Sequence, residues 1–580
     1  MKNCLVLDTK PVNWPKKYNL FFLGYWCLES LKNSFKNLPS FKILDHEQEK
    51  NDNEIDNYVK LQDDICKNIV KDITKQLNKL HNKKYSEKFW TIIVGPWLKI
   101  FVGIILERYS SLEYALKKKK FDKIILANYK NFDFSCENLT DFENKISKNY
   151  NSWNLYFYTR IFEYLKININ IKKIKIKNNI INNEESSPKL QIKRILSKLL
   201  RIFMREKDSF IFDNPFSFYK NIKFYYFLKL IPQINIEPSY VRVKSDKNLR
   251  GKLNFKKSKA HKIEKFIRHI LPEIIPTDSV ENFSNLDKIC ENINWPKKPK
   301  LIFALHSYQQ NEIFKLWAAK KIEHNSLYVV AQHGGSYFTS KHVTYLPEFT
   351  TCDKFISWGN PKIKKCLPLF NFRTIGQVNV NNRKKIFFFS SWMHNMRARS
   401  FPEYKVNLDA NITMSNVMRG IDVKYKKEII IRINKFNLKK LENKIIKEIL
   451  FKKKDEYKID DFQFSKKEIY EKSKIVIHLS NSTGFLETLA ANVPSVIIIP
   501  NLNWIQKNAK KDFVELKKAK ILFFDPKKLS GHINKYYEDT DKWWNSKMTI
   551  SARNKFIKKY SMPIPEDSEK KFAEVLKKLG

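Results

Sequence analysis

Apolar residues recur, mostly at spacings of three and four, through Ile55, Val59, Ile65, Ile69, Val70 and Ile73, which predicts helix within residues 55–120. A second helical run is predicted over Trp97–Leu116, with Pro96 near its start, where a missing N–H is no loss. Two short strand-like runs, Leu5–Leu7 and Leu20–Leu23, precede these helices, and another follows at Lys123–Ala127. From about residue 300 the pattern sharpens. Strand candidates at Leu301–Leu305, Leu327–Ala331, Lys354–Ser357, Lys385–Phe389, Glu428–Ile433, Ile475–Leu479, Ser495–Ile499 and Ile521–Phe523 alternate with helical stretches. Examples of the latter are Glu312–Lys321, Leu438–Leu450 and Gly484–Ala491. Such alternation predicts parallel sheets with crossover helices. Continuous apolar runs such as Val496-Ile497-Ile498-Ile499 fit strands covered on both faces.

The fold class expected is therefore α/β, divided near residue 380. An N-terminal α/β domain would span 1–380 with inserted helices, a smaller Rossmann-like domain 384–545, and a helical tail 546–580. The Lys/Asn/Ile-rich tract 166–190 reads as an insertion or a mobile loop. The basic stretch 244–263 reads as exposed.

Composition changes this picture in two ways. At 580 residues, 43% hydrophobic and with only 12 Gly, the chain suits two or three packed domains rather than a low-complexity protein. Its formal net charge of +49 has three readings: codon bias with a solvated basic surface, attraction to an anionic membrane, or a nucleic-acid partner. No nucleic-acid motif supports the third. Seven cysteines, odd in number, widely spaced and without CxxC, argue against a disulfide framework and suit a reducing compartment. The N-terminus lacks a signal-peptide apolar core. The most apolar stretch, Thr91–Leu106, contains Pro96 and Lys99 and is shorter than a membrane span. A cytoplasmic protein is expected, with any membrane contact peripheral, on the inner face.

Two motifs carry candidate chemistry. In Ile475–Pro494 a strand runs through the hydroxyl-rich turn Ser480-Asn481-Ser482-Thr483 into a short helix, stopped by Asn492 and Pro494. Ser480, Ser482 and Thr483 thus sit at a strand's C-terminal end and a helix's N-terminus, where free amides and the dipole favour an anion. Gly484 would let a diphosphate approach the backbone, and Glu487 could accept from ribose hydroxyls. Ordinary N-capping by Ser482 or Thr483 is the plainer alternative. The second motif is Val329–Tyr337, where a strand ends in Gln332-His333 before Gly334 and Gly335. The glycines permit a sharp turn and close ligand approach. They leave His333 exposed at the strand edge as a candidate general base, unless it only shapes the turn. His306, ending the Leu301–Leu305 strand, is a weaker partner. Arg432, Arg397 and Arg399 are candidates to neutralise phosphate, with a solvated surface as their alternative. There is no GxxxxGK[ST], GxGxxG at the start, GxSxG, or metal-ligand spacing. Nothing calls for a metal or for a cofactor beyond a donor substrate.

Five segments together resemble a family of bacterial transferases of the spirochaete type from surface-polysaccharide gene clusters. They are Phe22–Cys27, Gly95–Leu98, Phe314–Ala318, Gln332–Gly335 and Thr483–Ala490. Tyr25 stands where that pattern has an acid, and Phe338 where it has Gly. More distantly, the second half is similar to GT-B glycosyltransferases and to polymerases that transfer glycerol phosphate from a CDP donor. The resemblance implies a GT-B-like pair of Rossmann-like domains, with His333 as the catalytic-type His and Ser480, Ser482 and Thr483 as the phosphate turn. It also implies a metal-independent transferase that takes a nucleotide-activated donor and a glycan or lipid-linked glycan acceptor. A CDP-alditol-type phosphotransferase, a non-catalytic glycan- or nucleotide-binding protein and a basic membrane-surface scaffold are the alternatives.

Overall fold

The computed structural model describes residues 1–28, 40–44, 46, 51–130, 134–176, 197, 199–200, 202–235, 238–343, 346–376, 383–389, 403–433 and 457–580. Arg397, Arg399 and the helix expected over Leu438–Leu450 lie outside these residues.

Three parallel sheets carry the fold. The first is built from β1 (Asn3–Val6), β2 (Asn19–Phe22), β3 (Phe41–Ile43), β4 (Lys123–Asn128) and β5 (Asn170–Lys175), in the order β3-β2-β1-β4-β5. The second contains β6 (Phe210–Ile211), β7 (Leu301–Ala304), β8 (Leu327–Ala331), β9 (Lys354–Ser357) and β10 (Cys366–Pro368), in the order β10-β9-β8-β7-β6. The third contains β11 (Lys385–Phe389), β12 (Ile429–Arg432), β13 (Lys458–Asp460), β14 (Ser473–His478), β15 (Ser495–Ile498) and β16 (Leu522–Phe523). Its order, β13-β12-β11-β14-β15-β16, is the doubly wound one, with the direction of winding reversing between β11 and β14.

The stretch 1–380 thus holds two sheets where the sequence suggests one α/β unit. Part of the tract read as an insertion is strand β5, parallel to β4 over six registered pairs. Its side chains are exposed or half-buried and lysine-rich, as an edge strand requires.

The second sheet explains its own apolar runs. Ile302, Ala304, Tyr328, Val330 and Phe355 face one core, shared with the first sheet. Leu301, Phe303, Val329, Ala331 and Ile356 alternate with them and face a second core, shared with the third sheet. The first of these cores is closed by the helices Asp52–His81 and Glu87–Lys118. The latter begins ten residues before the sequence reading placed it, capped by Ser86, with Pro96 in its interior. By length and composition it could cross a membrane, with a mean hydropathy of 2.0, yet 94% of its most apolar window is buried inside the protein. The helix Ser568–Lys577 packs back on the helix Phe218–Leu228, and the Phe572 ring lies 5.2 Å from that of Phe303 on β7.

Candidate active site

The C-terminal edges of the second and third sheets face one another, and the two sequence motifs meet there. Beyond β8, Gln332 is buried and clamps the turn: its amide donates to Gly334 O at 2.9 Å and its carbonyl accepts from Trp358 N at 3.1 Å. The Gly335 amide donates to Thr483 Oγ1 at 2.8 Å, and Ser336 Oγ donates to Asn481 O at 2.9 Å. A Cβ on Gly335 would stand 2.6 Å from Thr483 N, so glycine is required here by backbone-to-backbone approach. This corrects the expectation that Gly335 makes room for a ligand: what it admits is the facing turn. Further along, Gln506 N donates to Thr339 O, and Ser340 bridges Ile505.

The turn after β14 lies at the topological switch of the doubly wound sheet, the place where such sheets hold ligands. It leads into the helix Thr483–Ala490, whose N-cap Ser482 makes no side-chain cap hydrogen bond. The plain capping alternative therefore fails for Ser482. Thr483 Oγ1 is committed to Gly335, while Ser480 and Ser482 hydroxyls have no partner among the described residues. Neither does the buried Oδ1 of Asn481, whose amide nitrogen donates to Thr339 Oγ1 at 3.0 Å. A Cβ on Gly484 would only reach ordinary contact, 3.4 Å from His478 Cε1.

His333 is positioned by a network that its own sequence segment reveals only in part. Its Nδ1 lies 2.6 Å from Tyr308 Oη and 2.9 Å from Tyr337 Oη. The Tyr337 hydroxyl donates to the buried Glu348 Oε1 at 2.9 Å, and that of Tyr308 reaches it at 3.4 Å. With the tyrosine protons directed at Glu348, their oxygens accept from His333 Nδ1–H. The Nε2 lone pair is then left free, a tautomer assigned from the network. Nε2 has no partner among the described residues. Burial pushes the His333 pKa down to about 3, helped by His306 and Arg373, so the ring is neutral. Burial also raises Glu348 above the usual carboxylate range, opposed by the two tyrosine hydroxyls.

His306 stands beside His333, ring centroids 5.0 Å apart. Its backbone N–H donates to Asp213, which also accepts from the Leu305 and Ser307 amides and fixes the end of β7. Arg373 Nη2 lies 3.2 Å from His306 Nε2. A guanidinium only donates, so His306 is neutral too, in agreement with a pKa lowered by burial.

Among the described residues, Arg373 and Lys466 bring positive charge to this junction, and sequence reasoning missed both. Lys466 Nζ donates to Arg373 O at 2.7 Å and pairs with Glu487 at 2.8 Å. Glu487 is buried in the helix Thr483–Ala490, with Tyr470 Oη 3.3 Å away. Burial raises its pKa, and Lys466 opposes the rise. Its carboxylate is therefore occupied by a cation, not presented bare for ribose. Arg432, at the end of β12, pairs with the fully buried Asp460, donates to Phe464 O at 3.0 Å and stacks 4.1 Å from the Phe462 ring. Asp460 is the anionic partner that a buried Arg demands.

Open parallel sheets thus define an α/β protein whose second and third sheets meet at their C-terminal edges, where unpartnered hydroxyls, a helix N-terminus, two cations and an oriented neutral imidazole come together among the described residues. The chain belongs to the LIC12162 family transferases, whose sequence profile matches residues 3–576. None of the curated proteins compared with it matches in sequence. Among solved structures it is similar to S. aureus MnaA in a UDP co-structure, at 11% identity over 51% of this chain and 79% of that one, with a TM-score of 0.32. It is also similar to MurG of Acinetobacter baumannii, at 10% identity over 51% and 78%, TM-score 0.31. A UDP-N-acetylglucosamine 2-epimerase is similar at 14% identity over 61% and 95%, TM-score 0.31.

Proposed function

We propose that this transferase is a glycosyltransferase that moves a sugar from a nucleotide-activated donor to a glycan or lipid-linked glycan hydroxyl in bacterial surface-polysaccharide synthesis. The observation that carries the reading is the meeting of the two turns, Gly335 N on Thr483 Oγ1, with Arg373 Nε donating to the His333 carbonyl and Lys466 Nζ to the Arg373 carbonyl.

The donor diphosphate would take the Ser480 and Ser482 hydroxyls, the free amides of the helix Thr483–Ala490 and the two cations. Arg397, outside the described residues, is a further candidate for the phosphate, and Glu487 acts by holding Lys466. Arg432, bound to Asp460, shapes the third sheet's edge. The acceptor hydroxyl oxygen attacks the anomeric carbon, and its proton passes to His333 Nε2. The bond from that carbon to the diphosphate oxygen breaks, and the electron pair leaves on the diphosphate, where Arg373, Lys466 and the helix dipole stabilise it. Side-chain cations thereby fill the place a divalent metal would take. A bound diphosphate pairs with Arg373 and adds negative charge beside His333, raising its basicity when a base is needed.

The test is a thermal-shift and calorimetric screen against UDP, GDP, CDP and TDP, with magnesium or with chelator. One nucleotide is expected to stabilise the protein by about 2.7 kcal/mol at a hundred times its Kd. Ser482→Ala should abolish that shift. His333→Ala should keep donor affinity within about threefold while lowering kcat by roughly a hundredfold or more. Absence of nucleotide binding and transfer with all four would overturn the reading. Release of a nucleoside monophosphate would instead identify a phosphotransferase.

A further inference from the structure

The helix Phe218–Leu228 is apolar on two sides. Phe224, Tyr225 and Leu228 are buried, and the Phe224 ring stacks 5.1 Å from Phe572. On the other arc, Phe218, Tyr219, Ile222 and Tyr226 are 79%, 69%, 47% and 77% exposed. At 100° per residue those four fall within about one third of the helix circumference. Exposed Lys223 and Lys229 stand beside them, and residues 216–230 contain no acidic side chain. Leu199, Ile202 and Phe203 are also exposed, and Ser197 Oγ donates to Ile234 O in the loop that follows the helix, tying the two segments together. A bare aromatic patch of this kind marks an interaction surface.

We propose that this face docks on an anionic membrane surface. Phe and Tyr rings enter the interfacial layer, and lysines at their margin meet acidic headgroups. Charge also argues against a second copy of the chain as occupant. A twofold contact through this patch would set its lysines against their own copies, in a protein already carrying +49. The helix follows β6 and Asp213, the residue that binds the His306 backbone. Phe218 lies five positions after Asp213, a reach of at most about 18 Å. Docking would therefore hold the His306–His333 side of the cleft near the lipid surface. If the transfer reading holds, the acceptor it favours is a lipid-linked glycan. The docking itself does not depend on that reading.

The experiment is co-sedimentation of the full chain with phosphatidylcholine vesicles, with and without phosphatidylglycerol. Two variants are compared: Phe218→Ser/Tyr219→Ser/Ile222→Ser/Tyr226→Ser, and Lys223→Glu/Lys229→Glu. Wild type is expected to bind the phosphatidylglycerol vesicles, and each variant to bind about tenfold more weakly or worse. Melting temperature and any nucleotide binding should stay as in wild type. If the apolar variant unfolds, the lysine variant decides. Equal binding by wild type and variants, no vesicle binding by wild type, or a dimer in light scattering that the apolar variant dissociates would each overturn the proposal.

Discussion

His333 is a poor base as the free protein holds it, because burial, His306 and Arg373 all favour the neutral ring. The acid limb of kcat/KM, which reports the free enzyme, should therefore lie below pH 5. With donor bound, a diphosphate on Arg373 should move the limb of kcat to higher pH. Coincident limbs near 6.5 would remove His333 from the role. Tyr337 links His333 to Glu348, so Tyr337→Phe should lower kcat about tenfold with little change in KM, and shift the kcat limb. An unchanged profile would leave Tyr337 merely structural. His333, the two glycines and the hydroxyl turn were legible in the sequence because each is a local pattern at a strand end. Tyr308, Glu348, Arg373 and Lys466 were not, since they reach the cleft from other elements and form no local spacing. Gly335 was legible as a glycine but not for its reason, which lies in a turn 148 residues away. Phe338 shows the converse. It takes a φ of +60°, which is why glycine suits that place, and holds it by packing against Phe349 and Phe355.

Strands such as β7, β8 and β15 were readable because both faces are covered and every position but Ser495 is apolar or aromatic. Those missed, β3, β5, β6, β10 and β13, are edge strands of their sheets, and four of them are two or three residues long. Pro96 misled for a related reason. Proline withdraws the N–H that Ile92 O would accept, which usually marks a helix start. Within this core the helix continues, and the neighbouring Ile93 O receives Lys315 Nζ at 3.1 Å. Lys315 is buried and also pairs with Glu312 at 2.6 Å, so one ammonium ties the helix Glu312–Glu323 to the helix Glu87–Lys118. Lys315→Met removes the partner of a buried carboxylate and should cost about 3–5 kcal/mol, read as a lower urea midpoint. Lys315→Met/Glu312→Leu should recover most of it. If the double variant is no better than the single, the pair is not what couples these helices.

At the scale of the molecule, two cores share the second sheet, so it should unfold with both neighbours rather than alone. Acid will act on that unit through buried imidazoles. Burial depresses His333 and His478 to about 3 and His532 to about 4, below the unfolded value near 6.5. Across that window the unfolded chain binds more protons, so stability is lost as pH falls. The buried Glu312, Glu348 and Glu487, raised by burial, act in the opposite sense. A variant isolates one group: His478→Asn should lose less stability than wild type between pH 6.5 and 4, by up to about 1.4 kcal/mol per pH unit. Parallel curves would show that His478 does not titrate on unfolding. The net charge of +49 was plain from composition, but the sharing of a sheet between cores was not, because hydropathy reports that a strand is covered and not by what. The return of the last helix to the second sheet sets the timetable of biosynthesis. Phe572 fills the socket between Phe224, Phe303 and Phe372, and Met562 N bonds Trp358 O. A nascent chain that has emitted β6 to β10 still lacks the side chains that close their outer face. Until translation reaches those residues, the outer face of that sheet stays uncovered.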